Sequence, residues 1–157
     1  MQKIYFKWFV LAITIVFIDC ATSNRTNNEL AIGMVTYNGF ENITPPSPSD
    51  TSYKVINGDA DFDRLFRPVN GKPERPDFNG QTAVAVQAPA GSLIIIDRIA
   101  IQGHFLNVYA VTCIADQVHC ATNGLAIATA PRSENVKHVR FFFNGVQKKV
   151  VERGPLF

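Results

Sequence analysis

Between Thr82 and Cys113 the chain reads TAVAVQAPAGSLIIIDRIAIQGHFLNVYAVTC, and few folds accommodate such a stretch. Three apolar runs, Ala83–Val86, Leu93–Ile101 and Phe105–Val111, are parted by two turn clusters, Ala88-Pro89-Ala90-Gly91 and Gln102-Gly103-His104. The runs are crowded with Val, Ile and Tyr, side chains that suit a pleated, half-buried surface. The stretch therefore predicts consecutive strands of a β-sheet. The second run changes phase: Ile94 and Ile96 share one face, Ile99 and Ile101 the other, with Asp97-Arg98 at the switch. One extra residue reverses the facing of a strand, so a bulge or sharp bend is expected there. Asp97 and Arg98 read as solvated residues at that bend, the alternative being a functional pair at an active-site bulge.

The end of the chain is a hairpin signal. Asn144-Gly145 sits between VRFFF and VQKKVV, and Asn-Gly supplies the two positive-φ residues of a tight hairpin turn. A regular two-residue turn pairs Phe143 with Val146, Phe141 with Lys148 and Val139 with Val150 on an apolar face. The other face then pairs Phe142 with Gln147 and Arg140 with Lys149. Like charges across a pair are mildly unfavourable, although lysine is also a common guard of sheet edges. Lys137, Arg140, Lys148, Lys149 and Arg153 make a basic neighbourhood with Phe142 exposed inside it. It reads either as a solvated edge or as a docking surface for an acidic partner.

The remaining segments look like packing for this sheet. Ala31–Tyr37 predicts a first strand and Tyr53–Ile56 a second, parted by the Pro45–Asp50 loop with its three prolines. One helix is expected next: Asp59 caps it, Asp61 and Asp63 sit near its positive end, and Phe62, Leu65 and Phe66 make one apolar face. Asp59, Asp61 and Asp63 do not make a calcium loop, because Arg64 stands where glycine is needed and Asn70 where glutamate is needed. Residues 68–81 are turn-rich. These elements predict a mainly β domain with α+β character: a twisted antiparallel sheet or two-layer β-sandwich carrying one short helix. A chain of 157 residues is long enough to bury a core of this kind.

The N-terminus reads as a Sec-type signal peptide over residues 1–23. Lys3 and Lys7 precede the apolar run Phe9–Ile18, which is too short to span a bilayer comfortably. Ala21-x-Ser23 suits cleavage before Asn24, whereas Cys20 offers the alternative fate of a lipidated cysteine. The expected location is periplasmic or secreted, or the outer membrane if Cys20 carries lipid. Either fate leaves Cys113 and Cys120 as a pair, and two nearby cysteines in an exported domain are expected to form a disulfide. A metal site built from Cys113, His119 and Cys120 is the alternative, disfavoured because zinc wants four ligands and tighter spacing. Asn24-Arg25-Thr26 and Asn42-Ile43-Thr44 match the short glycosylation pattern.

No catalytic constellation stands in the chain: there is no G-x-S-x-G, no H-E-x-x-H and no phosphate-cradling glycine loop. A formal net charge of +2 does not argue for nucleic acid. The residues predict no enzyme, no metal and no cofactor.

The segments VINGDADFDRLFRPV, PDFNGQTAVAV, SLIIIDRIAIQGHFLNVYAV and a late HVRF strand together resemble the PrcB-like domain. That family comprises exported bacterial proteins named for an accessory subunit of a surface protease complex. The resemblance covers about residues 53 to 143 as a pattern of strand, acidic helix, Asp-Phe and meander, and makes 53–157 the family-like domain after a flexible 24–52 segment. Where the family carries a Thr-Gly-Gly-Tyr turn, this chain reads Ala88-Pro89-Ala90-Gly91-Ser92-Leu93, keeping one glycine and replacing the tyrosine by leucine. The resemblance implies a non-enzymatic partner of another envelope or secreted protein, such as a protease. It marks Pro89, Gly91, Ser92 and Leu93 as candidate partner-binding residues beside Lys137, Arg140, Phe142 and Lys149 of the hairpin. The alternative is a protease inhibitor or small-ligand-binding β domain of the cell envelope. Membrane contact is expected only through a lipid on Cys20.

Overall fold

A computed structural model describes residues 29–154 apart from 46, 48, 90, 115–119 and 122. The expected leader, Cys20 and the Asn24 pattern lie outside the described residues, as does His119. Two sheets face each other. One has five strands in the order β1 (Leu30–Ala31), β7 (Ile94–Gln102), β8 (Phe105–Thr112), β10 (His138–Phe143) and β11 (Val146–Glu152). The other has four, in the order β2 (Val35–Tyr37), β9 (Leu125–Pro131), β6 (Gln81–Gln87) and β4 (Ser52–Ile56). A ribbon of β3 (Phe40–Asn42) and β5 (Phe66–Pro68) accompanies the helix α1 (Asp59–Leu65). Among the described residues the protein is thus a mainly β sandwich with one short helix.

The three apolar runs do not lie in one sheet. β6 belongs to the four-stranded sheet, β7 and β8 to the five-stranded one, and the turn after Gln87 crosses between the layers. Ala31–Tyr37 is likewise split into β1 and β2 on different sheets, with Ile32 and Met34 packing against the central core as the chain crosses. Among the described residues pairing is antiparallel except between β8 and β10. After β8 the chain builds β9 in the opposite sheet, which carries it back to the end where β8 began, so β10 enters parallel to β8.

The core between the sheets sets Val84, Val86, Ala126 and Ala128 against Ile94, Ile96, Ile99, Val108, Val139 and Phe141. A second cluster covers the far side of the four-stranded sheet, where Phe40, Ile56, Phe62 and Phe66 pack on Ala83, Ala85, Leu125 and Ile127. The four-stranded sheet is therefore buried on both faces, which explains the unbroken apolar character of TAVAV and LAIATA. Small alanines at its far face let the Phe40, Phe62 and Phe66 rings approach closely; Phe62 lies 5.1 Å from Phe40 and 5.2 Å from Phe66.

Local details correct several expectations. Asp59 is the first helical residue rather than the cap; Gly58 holds the cap position in extended backbone, with no side-chain cap bond. Phe66 lies beyond the helix in β5, yet still reaches the same cluster as Phe62. Arg75 bridges Asp59 and Asp63 at 3.5 and 2.8 Å. The phase change in β7 is a bulge: Ile96 pairs with Ala110 and Arg98 with Tyr109, leaving Asp97 as the extra residue. The Asn144-Gly145 turn has both residues at positive φ, 49° and 78°. Phe143–Val146 and Phe142–Gln147 pair as a regular hairpin requires, but a bulge then shifts the ladder, so Phe141 faces Lys149, Arg140 faces Val150 and Val139 faces Val151. The like-charge pair Arg140–Lys149 does not form. The bulge relieves it and leaves Lys148 as the extra residue.

Candidate interaction face

Because the four-stranded sheet is covered on both sides, the outer face of the five-stranded sheet is the broad sheet surface left open among the described residues. Alternation along β8 puts Leu106, Val108 and Ala110 into the core and Phe105, Asn107 and Tyr109 outward. Their cross-strand neighbours on β10 are His138, Arg140 and Phe142. Outward residues on adjacent strands stand side by side, and here they stack. Tyr109 and Phe142 lie 4.7 Å apart and nearly parallel, at 17°. The Arg98 guanidinium covers the other side of Tyr109 at 4.2 Å. Phe105 stacks on His138 at 5.4 Å, and the Arg140 guanidinium lies 3.2 Å from the centre of the Phe105 ring. Phe105, Tyr109, Arg140 and Phe142 are all half-buried. Rings held side by side present their electropositive edges to solvent, and two guanidiniums add full charges.

A carboxylate lies on this face. Glu29, just before β1, has Oε1 accepting hydrogen bonds from Tyr109 Oη and from Asn107 Nδ2 at 2.9 Å, while Oε2 is 3.4 Å from Arg98. Asn107 is 2% exposed, and its Oδ1 meets no donor among the described residues. Burial pushes the Glu29 carboxyl up, but the bonds from Tyr109 and Asn107 and the Arg98 charge outweigh it and hold the carboxyl below its ordinary value of 4.5. The Tyr109 hydroxyl is pushed up by burial and by its bond to Glu29. Ala100 pairs with both Ala31 and Asn107, and its small side chain leaves room for Glu29 to reach β8.

The candidates named from the sequence are scattered. Pro89, Gly91, Ser92 and Leu93 form the crossover between the sheets, closed by Ser92 N donating to Pro89 O at 3.1 Å; Ala90 lies outside the described residues. Cys113 N donates to Leu93 O at 2.8 Å, so this turn sits against the disulfide. Cys113 and Cys120 are joined, with Cα atoms 6.2 Å apart, which takes both thiols from the metal alternative. Gly124 braces the same end: its φ is +72°, and a Cβ there would lie 2.9 Å from Ala88 O. Pro89 also borders a groove of about 410 Å³ with Gln87, Asn123 and the Glu41–Arg67 ion pair.

Lys137 is at the opposite end of the sheet, beside His104, so the turn and the whole basic cluster do not form one site. Lys149 lies on the edge strand β11, facing Phe141 and not Arg140. Phe142 is half-buried in its stack and not fully exposed. Arg153 turns inward, donating to the carbonyls of Ser133 and Val136. Burial and the nearby Arg132 charge pull its pKa down.

Sequence reasoning passed over Glu29, Phe105, Asn107 and Tyr109. The alternation of FLNVYA was the available signal, since it separates an aromatic-polar face from an aliphatic one. Among the described residues no three His, Cys, Asp or Glu side chains converge in a metal-binding cluster. Comparisons with family models, with curated proteins and with solved structures return no match.

Proposed function

We propose that this chain is an exported, non-enzymatic interaction module that holds a partner protein against the outer face of its five-stranded sheet. The observation that carries the reading is the Arg98–Tyr109–Phe142 row beside Arg140 and Phe105: half-buried rings, with guanidiniums laid over them, turned away from both cores. Aromatic and arginine side chains dominate the energetics of protein interfaces, and pre-stacked ones lose little conformational freedom on binding. The leader-like N-terminus and the disulfide support export. The PrcB-like pattern supports an envelope or secreted partner such as a protease. Electropositive ring edges, Arg98 and Arg140 favour an acidic surface on that partner.

The test is quantitative cross-linking capture from the native host's envelope fraction, using wild type and the double variant Arg140→Ser with Phe142→Ser. A partner captured by wild type and reduced at least about tenfold by the variant supports the reading, since truncating one interface anchor costs on the order of 2 kcal/mol. Capture should also weaken as salt screens the exposed charges. Equal capture by two equally folded proteins would move the docking site elsewhere.

A further inference from the structure

We infer that Arg98, Asn107 and Tyr109 form a receptor for a single carboxylate, which Glu29 occupies as an internal stand-in for an extended acidic segment of the partner. This inference rests on the docking reading above and names what that face recognises. The donors are built into β7 and β8, the best-paired strands of the sheet. The carboxylate arrives on a much weaker support. β1 makes two register pairs with β7, followed by one further bond from Ile32 N to Ile99 O at 3.0 Å. Its side chains contribute little, for Leu30 is 68% exposed and Ala31 is also exposed.

Among the described residues, 29–31 are therefore held by a backbone ladder plus a carboxylate contact, and any extended segment can reproduce both; Ile32 and Met34, which pack against the core, anchor the chain beyond them. Strand addition to a sheet edge works in this way, with the ladder giving affinity and side-chain sites giving selectivity. The selectivity here is definite. Three donors converge on two oxygens, and among the described residues Glu29 is the carboxylate paired with Arg98. An uncharged amide at that position cannot accept from all three donors without turning its own N–H₂ toward one of them. The ladder position is also defined: Leu30 and Ala31 oppose Ile101 and Ala100, and the small residue at Ala100 makes the path to Asn107. The segment recognised is thus an acidic residue followed by two residues in extended conformation, antiparallel to Ile99–Ile101. The stand-in is incomplete, because the buried Asn107 Oδ1 still lacks a donor among the described residues. A partner segment that supplies an N–H beside its carboxylate satisfies that atom and displaces Glu29.

The experiment uses the full chain and a labelled peptide, acetyl-Glu-Leu-Ala-Ile-Gly-Met-amide, that copies residues 29–34. Fluorescence anisotropy compares wild type with Glu29→Ala. The Glu29→Ala protein should bind this peptide at least about tenfold more tightly than wild type does, and about tenfold more tightly than it binds the same peptide with Gln in place of Glu. Adding Tyr109→Phe to Glu29→Ala should weaken the acidic peptide and leave the Gln peptide nearly unchanged. If Glu29→Ala does not fold, Glu29→Gln keeps the segment's shape and serves in its place. Equal binding of the two peptides, or no binding to a folded variant, would reduce the cluster to a brace for the N-terminal segment. A wild-type dimer that dissociates on Glu29→Ala would place Glu29 in a second copy and overturn the assignment to a partner protein. Peptide failure with capture still dependent on Arg140 and Phe142 sinks this inference alone. Peptide binding with capture unaffected by those residues supports the receptor and sinks the docking face.

Discussion

Phe141 and Phe142 are neighbours in sequence and opposites in structure, so truncating each in turn measures which face of β10 is core. Phe141 is fully buried, with the Tyr53 ring 5.3 Å away across the sandwich. Phe141→Ala removes its burial and leaves a cavity that two packed sheets close poorly, a loss of about 3–5 kcal/mol. Phe142 is half-buried, and its main partner is the stacked Tyr109. Phe142→Ala forfeits that pair, about 0.5–1.5 kcal/mol, plus part of a side chain's burial. The expected loss is about 1–2 kcal/mol. Against a total of about 5–15 kcal/mol, the first change is severe and the second mild. Urea unfolding followed by far-ultraviolet circular dichroism gives both numbers. With a slope of about 2 kcal/mol per molar, Phe141→Ala lowers the midpoint by about 1.5–2.5 M and Phe142→Ala by less than about 1 M. Equal midpoints, or the reverse order, would mean that the facing of β10 is wrong, and the stacked row on the outer face would fall with it.

The Cys113–Cys120 bond predicts no reactive thiols at these two positions when the protein is unfolded without reductant. Its short loop predicts a loss of about 2–3 kcal/mol on reduction, read as a lower melting temperature. Glu29 titrates below its ordinary value, so its contribution is complete above the unfolded carboxyl's pKa and disappears as pH falls through the folded one. Melting temperatures of wild type and Glu29→Gln should therefore differ at neutral pH and converge in acid; a constant gap would refute the cluster. Gly124→Ala combines a positive φ with a contact on Ala88 O and should cost more than about 1 kcal/mol in the same urea assay. Deleting Asp97 leaves Ile96, Arg98 and Ile99 in regular alternation, so the fold should survive by circular dichroism, whereas deleting Ile95 should unfold the chain.

Much of the layer structure was legible because it follows from alternation. LIIIDRIAIQ announced both a strand and its bulge, and FFFNGV announced a hairpin with the observed turn. The hairpin's register was only half legible. Two cross-strand pairs match a regular ladder, and then Lys148 is squeezed out, because Arg140 and Lys149 would otherwise face each other while Val151 would miss the core. β9 went unread for a different reason. LAIATAP is rich in alanine, which has weak strand preference, and its role is to be thin between two layers. The assignment of β6 to a separate sheet was also hidden, since a turn of four residues looks the same whether it closes a hairpin or crosses a sandwich. Tertiary context decides that choice. The Glu29 cluster was invisible because its members are separated by 78 and 80 residues and meet through register alone.

The bulge at Asp97 connects the fold to the proposed site. In an unbroken strand, Arg98 would follow the inward Ile96 at an interval of two and point into the core. The extra residue turns Arg98 outward opposite Tyr109 while keeping Ile99 buried. A guanidinium is thereby placed over an aromatic face without any loss to the aliphatic core. The same irregularity lies just past Ile99, where the last bond from the N-terminal segment is made, and a bulged edge does not continue a ladder. The bulge therefore accommodates Asp97 without turning Arg98 inward, and it limits how far a paired segment extends along β7. In the proposed reading this makes the site short and selective: a carboxylate anchored by three side chains, with a brief ladder beyond it.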